Sequence, residues 1–437
     1  MQAINTTFAS EKTARVKITS LLIDRVTQRF QFKDQPNHAE QQLDLHNLVR
    51  EKLKIAIVTE TWLPEINGVS LSLMHICKGL QKRGHKILLI RPTQKQKSFE
   101  FTPHRECLVS GQAIPKYKQM QFGWPQYRKV SQALDEFSPD LVHIVTEGPL
   151  GLAVLQVTKA KNIPVTSGFH SSFQDFSRFY NLSFLIKPIQ HYLKWFHNHT
   201  LVTCVPSQDT AEAIRKFGAK CKIEVVKTGV DVERFSPNFR NSMLRRSWGA
   251  CEQTTVMLYV GRISQEKEIQ VLIDSYLNIR EDSDQKLKMV IVGDGPDLKR
   301  LQHYCKDSDV IFTGILRDQA LAEVFASADV FTFASQVETF GNVVLEAMAS
   351  GLAVVAYDYA CAKQYLNAES AFLAPLGQKA QFIQYLKQLP SNSVLHSMGQ
   401  HALAKVQNVG WEHSVQQLEQ LFYQVLVNIE LQGNRSS

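Results

Sequence analysis

No uninterrupted apolar run in the 437 residues approaches the roughly 20 needed to span a bilayer. The first residues show no basic stretch leading into an apolar segment and a small-residue cleavage site, the signature of a secretory leader. These two absences make the cytoplasm the expected compartment. Cysteine is sparse: Cys77, Cys107, Cys204, Cys221, Cys251, Cys305 and Cys361 are scattered, with no C-x-x-C pair. That argues against a zinc site or a disulfide framework and leaves them as small buried hydrophobes. The basic residues do not gather into a compact nucleic-acid-binding module, so no nucleic-acid partner is expected. Disorder is excluded for the body of the chain, because 44% hydrophobic and 21% charged residues are ordinary globular values.

What is present is uneven in charge. Residues 53–235 carry 24 Lys/Arg against 14 Asp/Glu, a balance of +10, whereas residues 236–437 carry 17 against 21, a balance of −4. An anionic partner is therefore expected at the first half alone, although lysines that merely solvate a surface give the same balance. Residues 1–52 read as a weakly ordered extension, with a short amphipathic pattern at Ile18, Leu22, Val26 and Phe30.

From Leu53 the chain alternates short apolar strands with helical stretches. "LKIAIVTE", "KILLIRP", "DLVHIV", "IPVTSGFH", "TLVTCVPS" and "KIEVVKTGV" form one series. The register restarts with "TTVMLYVGRI", followed by "LKMVIVGDGP", "DVIFTGI", "DVFTFAS" and "LAVVAYD". Repeated strand–helix–strand units build parallel sheets. The expected fold is α/β, with two Rossmann-like doubly wound domains, 53–240 and 241–410, facing a central cleft. A helix over 411–437, with Val415, Leu418, Leu421 and Phe422 on one side, then needs a surface to pack on.

Ligands of such sheets bind beyond the carboxyl ends of the strands. There "YVGRISQEK" supplies Arg262 and Lys267, two cations suited to a diphosphate. "VGDGP" with Gly293 and "FTGI" with Ile315 are strand-end turns whose backbone could approach a nucleotide. "VETFGNVVLE" sets Glu338 in a loop and Glu346 in a helix, with Phe340, Gly341 and Asn342 at the helix start. Glu346 stands about 7.5 Å along the axis from Gly341, a span that suits a nucleotide sugar. Ionised carboxylates accept from hydroxyls, and the helix N-terminus attracts phosphate. In the first half, Gly68 opens a helix and His170 follows a strand end. Taken singly, each of these is also what a surface cation, an ordinary turn, a helix cap or a structural histidine looks like.

Together, and in this order, "TETWLPEINGV", "SGFHSSF", "GRISQEK" and "VETFGNVVLE" resemble the motifs of the retaining glycosyltransferases of family four, which have the GT-B architecture. The resemblance spans about residues 53–430. It implies that Glu338 holds donor-sugar hydroxyls and Glu346 the ribose. It also implies that Arg262 and Lys267 neutralise the diphosphate, and that the amides of Phe340, Gly341 and Asn342 touch sugar and phosphate. Gly68 would admit the phosphate, His170 would bond the sugar near the reacting centre, and the final helix would cross back onto the first domain. The family uses no metal or other cofactor. This sequence agrees, since its only D-x-D triplets, Asp282–Asp284 and Asp307–Asp309, do not end convincing strands.

The implied reaction moves a hexose from a nucleoside diphosphate sugar with retention. Members resembling this chain include GDP-mannose-dependent α-mannosyltransferases and glycolipid glycosyltransferases, which makes mannose the first choice; nothing in the motifs separates guanine from uracil. The aromatic and basic stretch Phe173–His199 points to a lipid-linked acceptor and to peripheral attachment at the inner face of the plasma membrane. The same residues would also serve as an aromatic core under solvated lysines. Two other readings stay open: a GT-B-type UDP-sugar 2-epimerase, and a non-catalytic nucleotide-sugar-binding subunit.

Overall fold

The computed structural model describes residues 52–65, 67–94, 100–114, 117–170, 186–282 and 286–436. The N-terminal extension up to residue 51 with its amphipathic pattern, the segment 173–185 of the aromatic stretch, and Ser283 and Asp284 lie outside these residues.

The first sheet is built from β1 (Lys54–Val58), β2 (Lys86–Pro92), β3 (Arg105–Val109), β6 (Leu141–Ile144), β7 (Val165–Gly168), β8 (Val202–Val205) and β9 (Lys222–Val225). Between β3 and β6 a separate hairpin pairs β4 (Gly111–Ile114) with β5 (Tyr117–Gly123). The sheet order is β3-β2-β1-β6-β7-β8-β9, parallel throughout. The second sheet comprises β10 (Thr255–Val260), β11 (Leu287–Val292), β12 (Ile311–Gly314), β13 (Val330–Phe333), β14 (Ala353–Tyr357) and β15 (Ala371–Ala374). Its order, β12-β11-β10-β13-β14-β15, is likewise parallel. Strands buried on both faces need continuous apolar runs, and "KIAIV" and "TVMLYV" supply them. In each sheet the order reverses beside the first strand, so the switch points lie between β1 and β6 and between β10 and β13.

Four strands carry no signal in the sequence reading. β3, "RECLV", is an edge strand with charges on its open side, and β15, "AFLA", is short and at an edge. The β4–β5 hairpin lies outside the parallel repeat. Of the cysteines, Cys221 is half-buried and Cys251 exposed, and only the other five are buried; all seven are free thiols. Asp309 of the second D-x-D triplet bonds Tyr276, Lys288 and Arg280, fixing the helix Ile269–Asp282 to β11.

The C-terminal helix, Trp411–Ser436, packs on the first sheet's layer rather than the second. Val415 lies against Gly79 of the helix Gly68–Lys82, where a Cβ would stand only 2.3 Å from a Val415 methyl. Phe422 meets His143 of β6, with ring centroids 5.5 Å apart. Arg83 and His85 bond the Glu419 carboxylate, the imidazole through Nε2 at 2.7 Å. Because His85 Nδ1 accepts the Leu53 amide at 3.0 Å, Nε2 carries the proton given to Glu419. Burial disfavours an ionised Glu419, but the bonds from His85 and Arg83 outweigh it and hold the carboxyl down at about 2.

The strand ends of the two sheets meet. Segments that follow β1, β7 and β8 touch segments that follow β13 and β14, through Asn342 with Ser72, Thr339 with His170, and Asp209 with Ala360. Both carboxyl edges therefore border one cleft.

Candidate functional site

After β10 the chain turns at Gly261, and the buried Tyr259 hydroxyl donates to the Arg262 carbonyl at 2.8 Å to fix the turn. Arg262 leaves this turn with its guanidinium 3.4 Å from Glu266, whose buried carboxylate also accepts from Ser264. One helical turn later Lys267 donates to the Glu338 carboxylate and, at 3.2 Å, to the Val337 carbonyl. Two stretches some 70 residues apart in sequence are thus joined by one ion pair. The family resemblance implies phosphate for Lys267 and sugar hydroxyls for Glu338. The structure pairs the two side chains with each other, because charges largely withdrawn from water need a partner.

Beyond Glu338 the loop is pinned from inside. Phe340 is buried edge-on to Tyr365, and its carbonyl accepts the Cys361 amide at 2.9 Å. Gly341 takes φ +91°, a left-handed conformation that favours glycine, and starts the helix Asn342–Ala349 without a side-chain cap. That helix end presents a positive dipole to the cleft. The Asn342 side chain crosses to the other sheet, donating to Ser72 Oγ at 2.9 Å and to the Gly68 carbonyl at 3.4 Å. Gly68 is the first residue of its own helix, capped by Asn67, whose carbonyl oxygen Oδ1 accepts the Ser70 amide at 2.8 Å.

Gly293 has a structural reason to be glycine. A Cβ there would stand 1.9 Å from the Gly261 carbonyl, at φ +138°. It lets the ends of β11 and β10 approach. Ile315, after β12, is 46% exposed and borders solvent beyond the strand end.

Glu346 is half-buried on the apolar Asn342 helix, and among the described residues no side chain hydrogen-bonds its carboxylate. Burial pushes it up to about 7, opposed by the positive charge of Arg234. Arg234 pairs with Asp318 at 3.2 Å and stacks on Phe235 at 5.5 Å. It lies in the linker after β9, where nothing in "VERFSP" flags a partner more than 100 residues away.

On the facing edge, His170 follows β7. Burial lowers its pKa, with Glu147 opposing and His197 reinforcing the shift, so the ring is neutral near pH 7. Beneath it His143 is lowered to about 3 by burial and by His170. His197 Nε2 stands 3.3 Å from Glu147 Oε1, and both are buried. Glu60, at the end of β1, is raised to about 7 by burial although it accepts amides from Leu150 and Gly123. These groups come from β1, β6, β7 and the end of the helix Ile186–His197, so apart from His170 no local motif announces them. The arrangement offers cations and a helix end on one side of the cleft and a neutral imidazole on the other, with acceptors between. Among the described residues no group of three or more His, Cys, Asp or Glu side chains could hold a metal ion.

Comparison with known proteins agrees with this architecture. The family model Glycosyltransferase Family 4 matches residues 66–234, and the model Glycosyl transferases group 1 matches residues 254–392. A GDP-mannose-dependent alpha-mannosyltransferase of Mycobacterium tuberculosis is 31% identical, over 75% of this chain and 85% of its own. An alpha-monoglucosyldiacylglycerol synthase of Streptococcus pneumoniae is 27% identical over 72% of each chain. Among solved structures, Anabaena HepE in complex with UDP and glucose superposes with a TM-score of 0.67 at 21% identity, over 84% of this chain and 99% of that one. With family models on both sheets and this relative at 31% identity, the chain belongs to glycosyltransferase family 4 and is a GT-B glycosyltransferase.

Proposed function

We propose that the enzyme transfers a hexose, with mannose the first choice, from a nucleoside diphosphate sugar to a lipid-linked or envelope saccharide acceptor, retaining the anomeric configuration. The observation that carries this reading is the convergence of Arg262, the Lys267–Glu338 pair and the Gly341–Asn342 helix start at one sheet edge. Relatives named for GDP-mannose and for diacylglycerol glycolipids support the donor and the acceptor class.

In this reading the diphosphate rests against Arg262, Lys267 and the first amides of the Asn342 helix, near Gly68. Glu338 accepts from sugar hydroxyls and Glu346 from the ribose. Gly293 and Ile315 border the base, and His170 bonds the sugar from the facing edge. The bond from C1 to the diphosphate oxygen breaks, and the acceptor oxygen bonds C1 on the same face. The acceptor proton passes to the leaving phosphate oxygen, so no enzymic nucleophile is required. Charge on the leaving group is met by the two cations and the helix end without a metal; such preorganised electrostatics are worth several kcal/mol, on the order of 3.

The reading is tested by a thermal-shift screen of GDP- and UDP-sugars, then mass and NMR analysis of products formed with lipid extract. Expected are a stabilising donor, an α-linked product and activity unchanged by EDTA. An Arg262→Ala, Lys267→Ala double variant should lose about a hundredfold or more in kcat; full activity in that variant would refute the clamp.

A further inference from the structure

The loop that carries Glu338 is held from both sides of the cleft. On its own side Phe340 is buried and its carbonyl accepts from Cys361. On the other side Thr339 is bonded by three described residues. The Thr210 hydroxyl donates to the Thr339 carbonyl at 2.9 Å, and the Ser207 hydroxyl donates to the same oxygen at 3.2 Å. The two hydroxyls are also 2.9 Å from each other, so they hold that carbonyl as one hydrogen-bonded cluster. Ser207 and Thr210 are buried, and Ser207 is itself fixed as the cap of the helix Gln208–Lys216, accepting the Thr210 amide. The Thr339 hydroxyl donates in turn to the His170 carbonyl at 3.4 Å, a long bond and the weakest of the three.

We propose that Thr339 is a positioning residue. Through it the loop after β8 and the loop after β7 set where the neighbouring Glu338 carboxylate and the His170 imidazole stand relative to each other. The proposal rests on the reading of Glu338 and His170 as donor-sugar contacts. Side chains from opposite domains must reach one sugar ring together, and placement errors of an ångström are costly in rate. Thr339 touches neither phosphate nor sugar in this scheme, so its loss acts on turnover and not on nucleotide affinity.

The test uses Thr339→Val, Thr339→Ser and Thr210→Val in the full chain, with Glu338→Gln as reference. GDP and UDP binding is measured by calorimetry, and turnover of GDP-mannose and UDP-glucose with a membrane lipid extract. Thr339→Val should bind nucleotide within about twofold of wild type and lose about tenfold in kcat, the scale of one lost hydrogen bond. Thr339→Ser should restore most of it. Thr210→Val, in another element, should fall in the same direction by removing the shorter of the two bonds to the Thr339 carbonyl. If Thr339→Val and Thr210→Val keep kcat within about twofold while Glu338→Gln loses it, the positioning role is overturned and the site reading stands. If Glu338→Gln is also fully active, the site reading itself fails.

Discussion

A carboxylate in a short apolar helix is costly unless something needs it, and Glu346 illustrates both sides. Burial raises it to about 7, so its protonation changes near neutrality, and the positive charge of Arg234 works against the rise. The ionised form offers both oxygens as pure acceptors, whereas the protonated form gives one of them over to an O–H donor. For the free enzyme, kcat/KM for the donor should therefore rise as pH increases through about 7. Glu346→Gln should remove that limb and leave a low, flat profile. Arg234→Leu should move the limb to higher pH, because the opposing positive charge is gone. Glu60 and Glu65 are also raised to about 7, so the Gln variant decides whose titration is seen. Gly293→Ala makes a plainer case. The added methyl meets the Gly261 carbonyl at 1.9 Å in a left-handed backbone. A loss of at least about 3 kcal/mol is expected in chemical denaturation. The motif residues at strand ends could be read from the sequence because local spacing defines them. Arg234, Thr339, Glu147 and His197 could not, since their partners are brought in by the fold.

At the scale of elements, the C-terminal helix is fastened by shape and by charge. Gly79→Ala gains helix propensity, about 1 kcal/mol, but drives a methyl to 2.3 Å from Val415. Overpacking should win by about 1 kcal/mol, and Val415→Ala in the same chain should relieve the clash, a coupling that a double-mutant cycle measures. Glu419 gives the acid limit of the same contact. Its folded value near 2 lies below the ordinary 4.5, so its stabilisation is complete above about pH 4.5 and fades as pH falls towards 2. Glu419→Ala should cost about 2 kcal/mol at neutral pH and flatten that acid limb. Eleven strands were visible in the sequence as apolar runs; nine are largely buried, and burial on both faces writes them plainly, while β9 and β12 are half-buried edges. β3, β15 and the β4–β5 hairpin were not: β3 opens on two exposed charges, β15 is a four-residue edge, and the hairpin lies outside the parallel repeat. That Val415, Leu418, Leu421 and Phe422 form a packing face was also visible, and all four are buried. The room for Val415 is made by Gly79, whose missing side chain leaves no pattern.

For the whole molecule, the first half's charge and the helix Ile186–His197 bear on the acceptor. Lys187, His191 and His199 are exposed, and Trp195 is 42% exposed and packs on His199 at 4.6 Å. Among the described residues no helix is long and apolar enough to cross a membrane. An interfacial attachment should then be electrostatic with an aromatic anchor, about 1 kcal/mol per basic residue at an anionic surface. The protein should float with phosphatidylserine vesicles at low salt and release at about 0.5 M as the Debye length shortens. It should ignore phosphatidylcholine, and Trp195→Ala should bind more weakly. Salt-independent behaviour would remove the lipid argument. The packing of Val415 on Gly79 has a further consequence, for biosynthesis. The first sheet's outer layer is completed by residues that emerge from the ribosome some 336 positions later, so at roughly 5–20 residues per second it waits from about 17 to 67 s with an apolar strip bare. Nascent chains cut short before Trp411 should be captured by chaperones rather than released as a folded half-enzyme.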